Sequence, residues 1–367
     1  MIEPYHHTGR AVFAPLNPKH ESFADFLDKY DLELDRIKLE LGKVSNEIVG
    51  IEIPEGLKKF THDLISYLSK KLGTKLVISG DSCFGACDIK YYQFETLNIH
   101  KIIHFGNVAI GNRQLPKGFK IIFVPLYLKI DVTPAIIEAI SYLKSRKIKK
   151  VGLISSIQYI KNVPKIRNAL TMEGIEVYTA KGTDRLAFDA QILGCNPSAA
   201  SRIKAKVQKF IMIEGGGFHA LPVALSTKKD VWCFDPLSGK TFIYEYKRLL
   251  KLHLNKLTAL KKSLLKGKRV GFIVSNKLGQ SRKEILTNLQ DEFIKKGYST
   301  GVIVVDFLNI NSINCMDFDI LVSTICPRVA LDERAQYSRP ILSTVEALEF
   351  IKKPDSFDKK FTFDQIL

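Results

Sequence analysis

The sequence is sparing in the residues that mark several common protein classes. It has one tryptophan, four methionines and six cysteines among 367 residues. The cysteines are scattered, with no C-x-x-C pair of the kind that closes a structural zinc site. No apolar run reaches the length of a membrane span. The opening residues, Met1-Ile2-Glu3-Pro4-Tyr5-His6-His7, lack the charged-then-apolar layout of a secretory signal. A cytoplasmic, reducing compartment is the resulting expectation. There, scattered cysteines serve as buried hydrophobes, metal ligands or catalytic thiols rather than as disulfides.

Acidic residues are also short relative to basic ones. Lys and Arg number 55 against 38 Asp and Glu, a formal charge of +17. That excess suits an acidic partner, a nucleic acid or an acidic protein face, and says nothing about fold. Apolar content of 46% and charged content of 25% are those of a soluble globular protein. The length exceeds one ordinary core, so two or three domains are expected.

What is present is a pattern that recurs three times. The first copy runs through Val49-Gly50-Ile51-Glu52-Ile53, a turn at Pro54-Glu55-Gly56, a helix over about 58–71 and a strand ending near Cys87. The second opens with Val151-Gly152-Leu153-Ile154, and its helix over about 163–173 leads on to Cys195. The third opens with Val270-Gly271-Phe272-Ile273-Val274, continues with a helix over about 282–296, and reaches Cys326 from a strand at Ile320-Leu321-Val322. From opening to cysteine the copies span 38, 44 and 56 residues. Strand–helix–strand alternation predicts α/β units with mainly parallel sheets, and copies of unequal length predict three related domains rather than a solenoid. Further strands are predicted at Ile102–Gly106, Ile121–Pro125, Phe210–Glu214 and Asp230–Phe234.

The expected division is an N-terminal extension over 1–28, a first domain over 29–140, a second over 141–243, and a third over 244–367. The last opens with a basic helix at 244–266, where Leu250, Leu254, Leu257 and Leu264 form one apolar stripe among lysines. Such a helix ordinarily buries the stripe and solvates the rest; docking of an acidic partner is the sharper reading.

Chemistry concentrates at Gly80-Asp81-Ser82-Cys83-Phe84-Gly85-Ala86-Cys87-Asp88. It follows the apolar run Leu76-Val77-Ile78, and in open α/β sheets ligands bind at the ends of such strands. Cys195, in Ile192-Leu193-Gly194-Cys195-Asn196-Pro197, and Cys326, in Ser323-Thr324-Ile325-Cys326-Pro327-Arg328, stand in similar settings. Three thiols, one per unit, are therefore expected to converge on one metal cluster. Three thiolates suit an iron–sulfur cluster, and three protein ligands leave one metal position open for a substrate. Cys83 is an alternative first ligand. Cys233, beside Trp232, reads as a small core hydrophobe, and Cys315 has no distinctive context. In Glu214-Gly215-Gly216-Gly217-Phe218-His219 the glycines can expose amides to an anion or let a ligand come close. The alternative is a flexible turn. His219 and the stretch Ser275-Asn276-Lys277-Leu278-Gly279-Gln280 can hold a ligand's polar parts.

These motifs, together with Cys326-Pro327-Arg328-Val329-Ala330 and Asp332, resemble the archaeal diphthamide synthase family, in the family's order from about residue 30 to 346. The resemblance implies a fold of three α/β domains set pseudo-threefold around a central [4Fe–4S] cluster, held by Cys87, Cys195 and Cys326. It implies S-adenosylmethionine as co-substrate, with Gly216, Gly217, His219, Ser275, Gln280 and Arg328 as candidate contacts. The activity implied is transfer of a 3-amino-3-carboxypropyl radical to C2 of a histidine on elongation factor 2. A homodimer fed by an unidentified electron donor is implied as well, with no membrane association and no direct nucleic-acid contact. Two positions depart from the family pattern. Asn107 stands where a second histidine is usual after His104-Phe105-Gly106, and Cys83 is not part of the motif. The other readings are a quinolinate synthase-like [4Fe–4S] enzyme, which the Phe-Gly-Ala-Cys and Gly-Gly-Gly-Phe-His motifs disfavour, and a non-enzymatic basic binding protein.

Overall fold

Each Val-Gly opening forms an inner strand of a separate sheet, and each glycine is there because an aromatic ring lies on it. A Cβ on Gly50 would sit 2.7 Å from the Phe94 ring, one on Gly152 2.4 Å from Phe210, and one on Gly271 2.9 Å from Phe318. The computed structural model describes residues 21–42, 47–111, 116–215 and 217–366.

A short strand β1 (Tyr30–Asp31) precedes the first sheet, built from β2 (Ile48–Glu52), β3 (Lys75–Ile78), β4 (Lys101–Phe105) and β5 (Lys120–Val124). All are parallel, in the order β3-β2-β4-β5. β6 (Tyr127–Leu128) pairs antiparallel with β1. The second sheet contains β7 (Lys150–Ser155), β8 (Glu176–Tyr178), β9 (Lys209–Ile213), β10 (Val231–Asp235) and β11 (Lys240–Tyr244), in the order β11-β10-β9-β7-β8. Only β11 runs antiparallel, returning from β10 through a tight turn. The third sheet is parallel, with β12 (Arg269–Ser275), β13 (Ser299–Val305), β14 (Ile320–Ser323) and β15 (Ile341–Ser343) ordered β13-β12-β14-β15. In every sheet the chain crosses from the opening strand to one side and then returns to the other. That reversal places a crevice at the carboxyl ends of the strands.

Three differences from the sequence reading have physical causes. First, β13 was not foreseen; it takes the place that β3 and β8 hold in the other sheets, and the third copy is longest because its cysteine follows one strand more. Cys87 and Cys195 follow the second strand of their units, whereas Cys326 follows the third. Second, the expected boundary at 140 falls inside the helix Thr133–Ser145. Ala135, Ala139 and Leu143 on that helix pack with Val151 and Trp232, so its apolar face belongs to the second core. Third, the stretch assigned to an N-terminal extension ends in a folded helix, Phe23–Lys29, with Phe26 buried against Phe60 in the first core. Ser22 and Asp25 form a capping box at its start.

The basic helix spans Tyr246–Lys266; it begins two residues later than expected because Tyr244 completes β11. Leu257 and Leu264 are buried in the third core as the stripe required. His253 is buried too, in a cluster with Glu346 and Arg334.

Candidate metal centre

The loop after β3 carries Cys87 and is held rigidly. Asp88, the next residue, is fully buried and accepts from two ammonium groups, Lys90 of its own loop and Lys277 of the third unit at 2.9 Å. Two cations on one buried carboxylate fix the loop against the third unit and leave net positive charge beside the thiol. The third unit's contribution continues at Gly279. Its N–H donates to the Cys87 carbonyl at 3.2 Å, and a Cβ there would come within 2.1 Å of the Cys87 Cα. Only glycine allows the two main chains to approach so closely. Gln280 follows and donates from Nε2 to the Cys87 sulfur at 3.4 Å.

Cys195 lies in the long loop after β8. The fully buried Asn196 shapes that loop, donating to Thr183 at 2.7 Å and accepting from the Ser198 amide at 3.1 Å. The Cys195 carbonyl accepts from the Ile366 amide at 3.0 Å. The segment that carries Ile366 is itself anchored, since Asp364 takes two hydrogen bonds from Arg282, at 2.8 and 3.1 Å, and two from Thr344, from its amide at 3.2 Å and its hydroxyl at 2.6 Å. Cys326 stands just before the short helix Pro327–Asp332, whose proline at its first position sets the backbone leaving the thiol.

The three thiols are close enough to repel one another as thiolates. Burial raises the pKa of Cys326, and the neighbouring sulfurs of Cys195 and Cys87 push it further up. Cys195 is raised by burial and by Cys87. A bound cationic metal group would offset both effects, since it adds positive charge directly at the sulfurs. Among the described residues no group of three or more His, Cys, Asp or Glu side chains is arranged to hold a single metal ion. Three separate thiols with a polar surround fit a multi-atom cluster.

The remaining candidates divide clearly. Arg328 is buried, bonds Asp332 at 2.6 Å and the Phe218 carbonyl at 2.7 Å, and lies 4.1 Å from the Phe218 ring centroid, joining the second and third units. Phe218 in turn covers Gly194, where a Cβ would be 2.3 Å from its ring. His219 is oriented by Glu214, which takes its Nδ1 at 2.6 Å and its main-chain N–H at 3.2 Å. Gly217 is a packing position, since a Cβ there would collide with Tyr244. Gly216 lies outside the described residues. Ser275 accepts from the Lys277 amide at 3.1 Å and is buried within its loop.

Beside the Cys87 loop lies a buried relay in the first unit. His104 Nδ1 meets Glu52 at 2.6 Å, while Nε2 faces Asn107 at 3.1 Å and Cys83 at 3.9 Å. Burial opposes the charged ring, but Cys83 and Glu52 outweigh it and hold the pKa at about 10. Asn107, at the departing position, thus serves as a partner for His104. Cys83 is engaged by the same ring, and Cys87 is the thiol whose charge reaches Cys195 and Cys326. Of the other cysteines, Cys233 is fully buried in β10 and Cys315 is exposed.

Arg185 escaped the sequence reading altogether. It is 6% exposed, donates to the Gly279 carbonyl at 3.4 Å, and its Nε has no protein partner; its charge opposes the rise that burial gives the Cys195 thiol. The only sequence-level signal was its place, between β8 and Cys195.

Three α/β units with mainly parallel sheets, each bringing one cysteine towards the others, define a three-unit α/β protein whose candidate site lies at the joint between its units. The diphthamide synthesis protein family matches residues 53–361, and the chain belongs to that family. It is 27% identical to the 2-(3-amino-3-carboxypropyl)histidine synthase of Pyrococcus horikoshii, over 92% of this chain and 94% of that one. Identity to the synthase of Methanocaldococcus jannaschii is 29%, covering 92% and 93%. The crystal structure of Dph2 from Pyrococcus horikoshii with a 4Fe-4S cluster superposes with a TM-score of 0.79 at 27% identity, over 92% of this chain and 95% of that one.

Proposed function

We propose that this chain is a transferase that moves the 3-amino-3-carboxypropyl group of S-adenosylmethionine to C2 of a histidine imidazole on elongation factor 2, the first step of diphthamide biosynthesis. The observation that carries the reading is the meeting of Cys87, Cys195 and Cys326 from three separate units, in a chain whose relatives bear the synthase name. The three thiols hold a [4Fe–4S] cluster with one position left open. When reduced, that group supplies one electron to a sulfonium.

The chain's own residues do the rest. Asp88, Lys277 and Gly279 hold the first and third units together so that the crevice keeps its shape. Arg328 against Phe218 closes the joint between the second and third units and helps keep water from a reactive intermediate. His219, oriented by Glu214, and Lys277 offer polar contacts for the amino acid end of the co-substrate. The protein works as a cytoplasmic homodimer of the archaeal kind and draws electrons from a separate donor. Among the described residues no helix is long and apolar enough to cross a membrane.

Anaerobic, reduced protein incubated with S-adenosylmethionine and elongation factor 2 from the same source tests the reading. The expected products are 5′-methylthioadenosine and a protein substrate heavier by one aminocarboxypropyl group. Recovery of 5′-deoxyadenosine and methionine would overturn it.

A further inference from the structure

The loop that ties the first and third units together also places donors against the sulfurs. Gln280 is 8% exposed and points Nε2 at the Cys87 sulfur from 3.4 Å, with its main-chain N–H already bonded to the Lys277 carbonyl at 3.0 Å. Arg185 reaches across from the second unit to the Gly279 carbonyl at 3.4 Å, and within its own unit its charge acts on Cys195. The main-chain bond between Gly279 and Cys87 already joins the units, so neither side chain is required for that joint. Moreover, a buried guanidinium with its Nε–H unpartnered is costly unless a further acceptor faces it. Its position is explained if it faces an anionic group.

We propose that Arg185 and Gln280 are a pair of outer donors that hydrogen-bond the thiolates of Cys195 and Cys87 and set the reduction potential of the cluster. The proposal rests on the assignment of those cysteines as cluster ligands. Hydrogen bonds to ligand sulfurs, and a cation near them, stabilise the more negative reduced form and so raise the potential. Arg185 carries full charge and contributes more than the neutral Gln280.

The test is a potentiometric titration of the anaerobically reconstituted protein, followed by electron paramagnetic resonance, with iron and sulfide counted in parallel. Gln280→Leu keeps the volume and removes the donor, and it is expected to lower the reduction equilibrium constant several-fold. Arg185→Met is expected to lower it about tenfold, which for one electron is 59 mV. Arg185→Lys should recover part of the difference. If Arg185→Met does not hold iron, Gln280→Glu decides, because an added negative charge at that site must depress the potential below that of Gln280→Leu. Midpoints equal to the parent's, in variants with full iron content, would overturn the proposal and leave the function standing. A parent that binds no cluster would overturn both.

Discussion

The amide of Gly279 donates to the carbonyl of Cys87 at 3.2 Å, so a loop of the third unit rests directly on the first unit's thiol. A Cβ at Gly279 would come within 2.1 Å of the Cys87 Cα and 2.5 Å of its carbonyl oxygen, both main-chain atoms. Gly279→Ala should therefore separate the units, with a stability loss of about 3 kcal/mol or more and a fall in iron per chain. Urea unfolding and iron assay measure the two effects together.

Single alanine replacements of Cys87, Cys195 and Cys326 should each lower iron content. Cys315→Ala, at an exposed position, should leave both iron and stability unchanged. Cys233→Ala should keep the iron and lose about 1 kcal/mol through the small void left in the second core. Cys83→Ala should also keep the iron, because His104 engages that thiol; loss of iron there, with retention in Cys87→Ala, would move the first ligand.

His104 should make stability depend on alkaline pH. The folded ring holds its proton up to about pH 10, against an ordinary value of 6.5. A raised value means the stabilisation is complete below pH 6.5 and is lost as pH climbs towards 10. Glu52→Gln removes one of the charges responsible. The difference in urea midpoint between parent and variant should shrink steadily over that range.

Glu346 behaves in the opposite sense. Burial opposes its charge, but Arg334 and His253 outweigh it and hold the pKa at about 2, below its usual 4.5. Its contribution is present above pH 4.5 and is lost as pH falls through 2. Arg334→Met leaves the carboxylate short of a buried partner and should cost about 3–5 kcal/mol at neutral pH. Adding Glu346→Gln to that variant should recover part of the loss, as read by thermal unfolding.

The basic helix gives the most direct test of partner docking. Lys261 is already committed to Asp358 and the Asp355 carbonyl, so it is a poor probe. Lys251 and Lys262 are exposed. Reversing their charge should slow modification of elongation factor 2 at low salt and leave cleavage of S-adenosylmethionine alone unchanged. Equal rates across a salt titration would assign the helix to solubility.

The inner strands were legible because each combines short apolar runs with a Val-Gly opening, and the cysteines were legible because each stands beside turn formers. β13 was not, since Ser299-Thr300-Gly301 begins it with polar or small residues and Val302 and Val304 remain exposed on a sheet edge. β11 was hidden for a related reason: Lys240 and Thr241 gave it no apolar start. Arg185 carried no signal beyond its place before Cys195, and Gly279 was marked only as part of a ligand-holding stretch, not as a contact to Cys87. Their importance comes from contacts with a different unit, and residue spacing cannot report which loops meet across a joint. The glycine loops led in mixed directions: Gln280 does reach a thiol, whereas Gly217 makes room for Tyr244.

The bond from the Ile366 amide to the Cys195 carbonyl has a consequence for biosynthesis. A ribosome delivers Cys87 first, Cys195 over 100 residues later, and Cys326 over 100 after that. The segment that braces the Cys195 loop emerges later still. A nascent chain therefore carries its thiols before the loop around Cys195 is braced. On the proposed assignment, loading would follow synthesis of the segment around Ile366, and a chain interrupted before it would meet oxidants with its thiols unprotected.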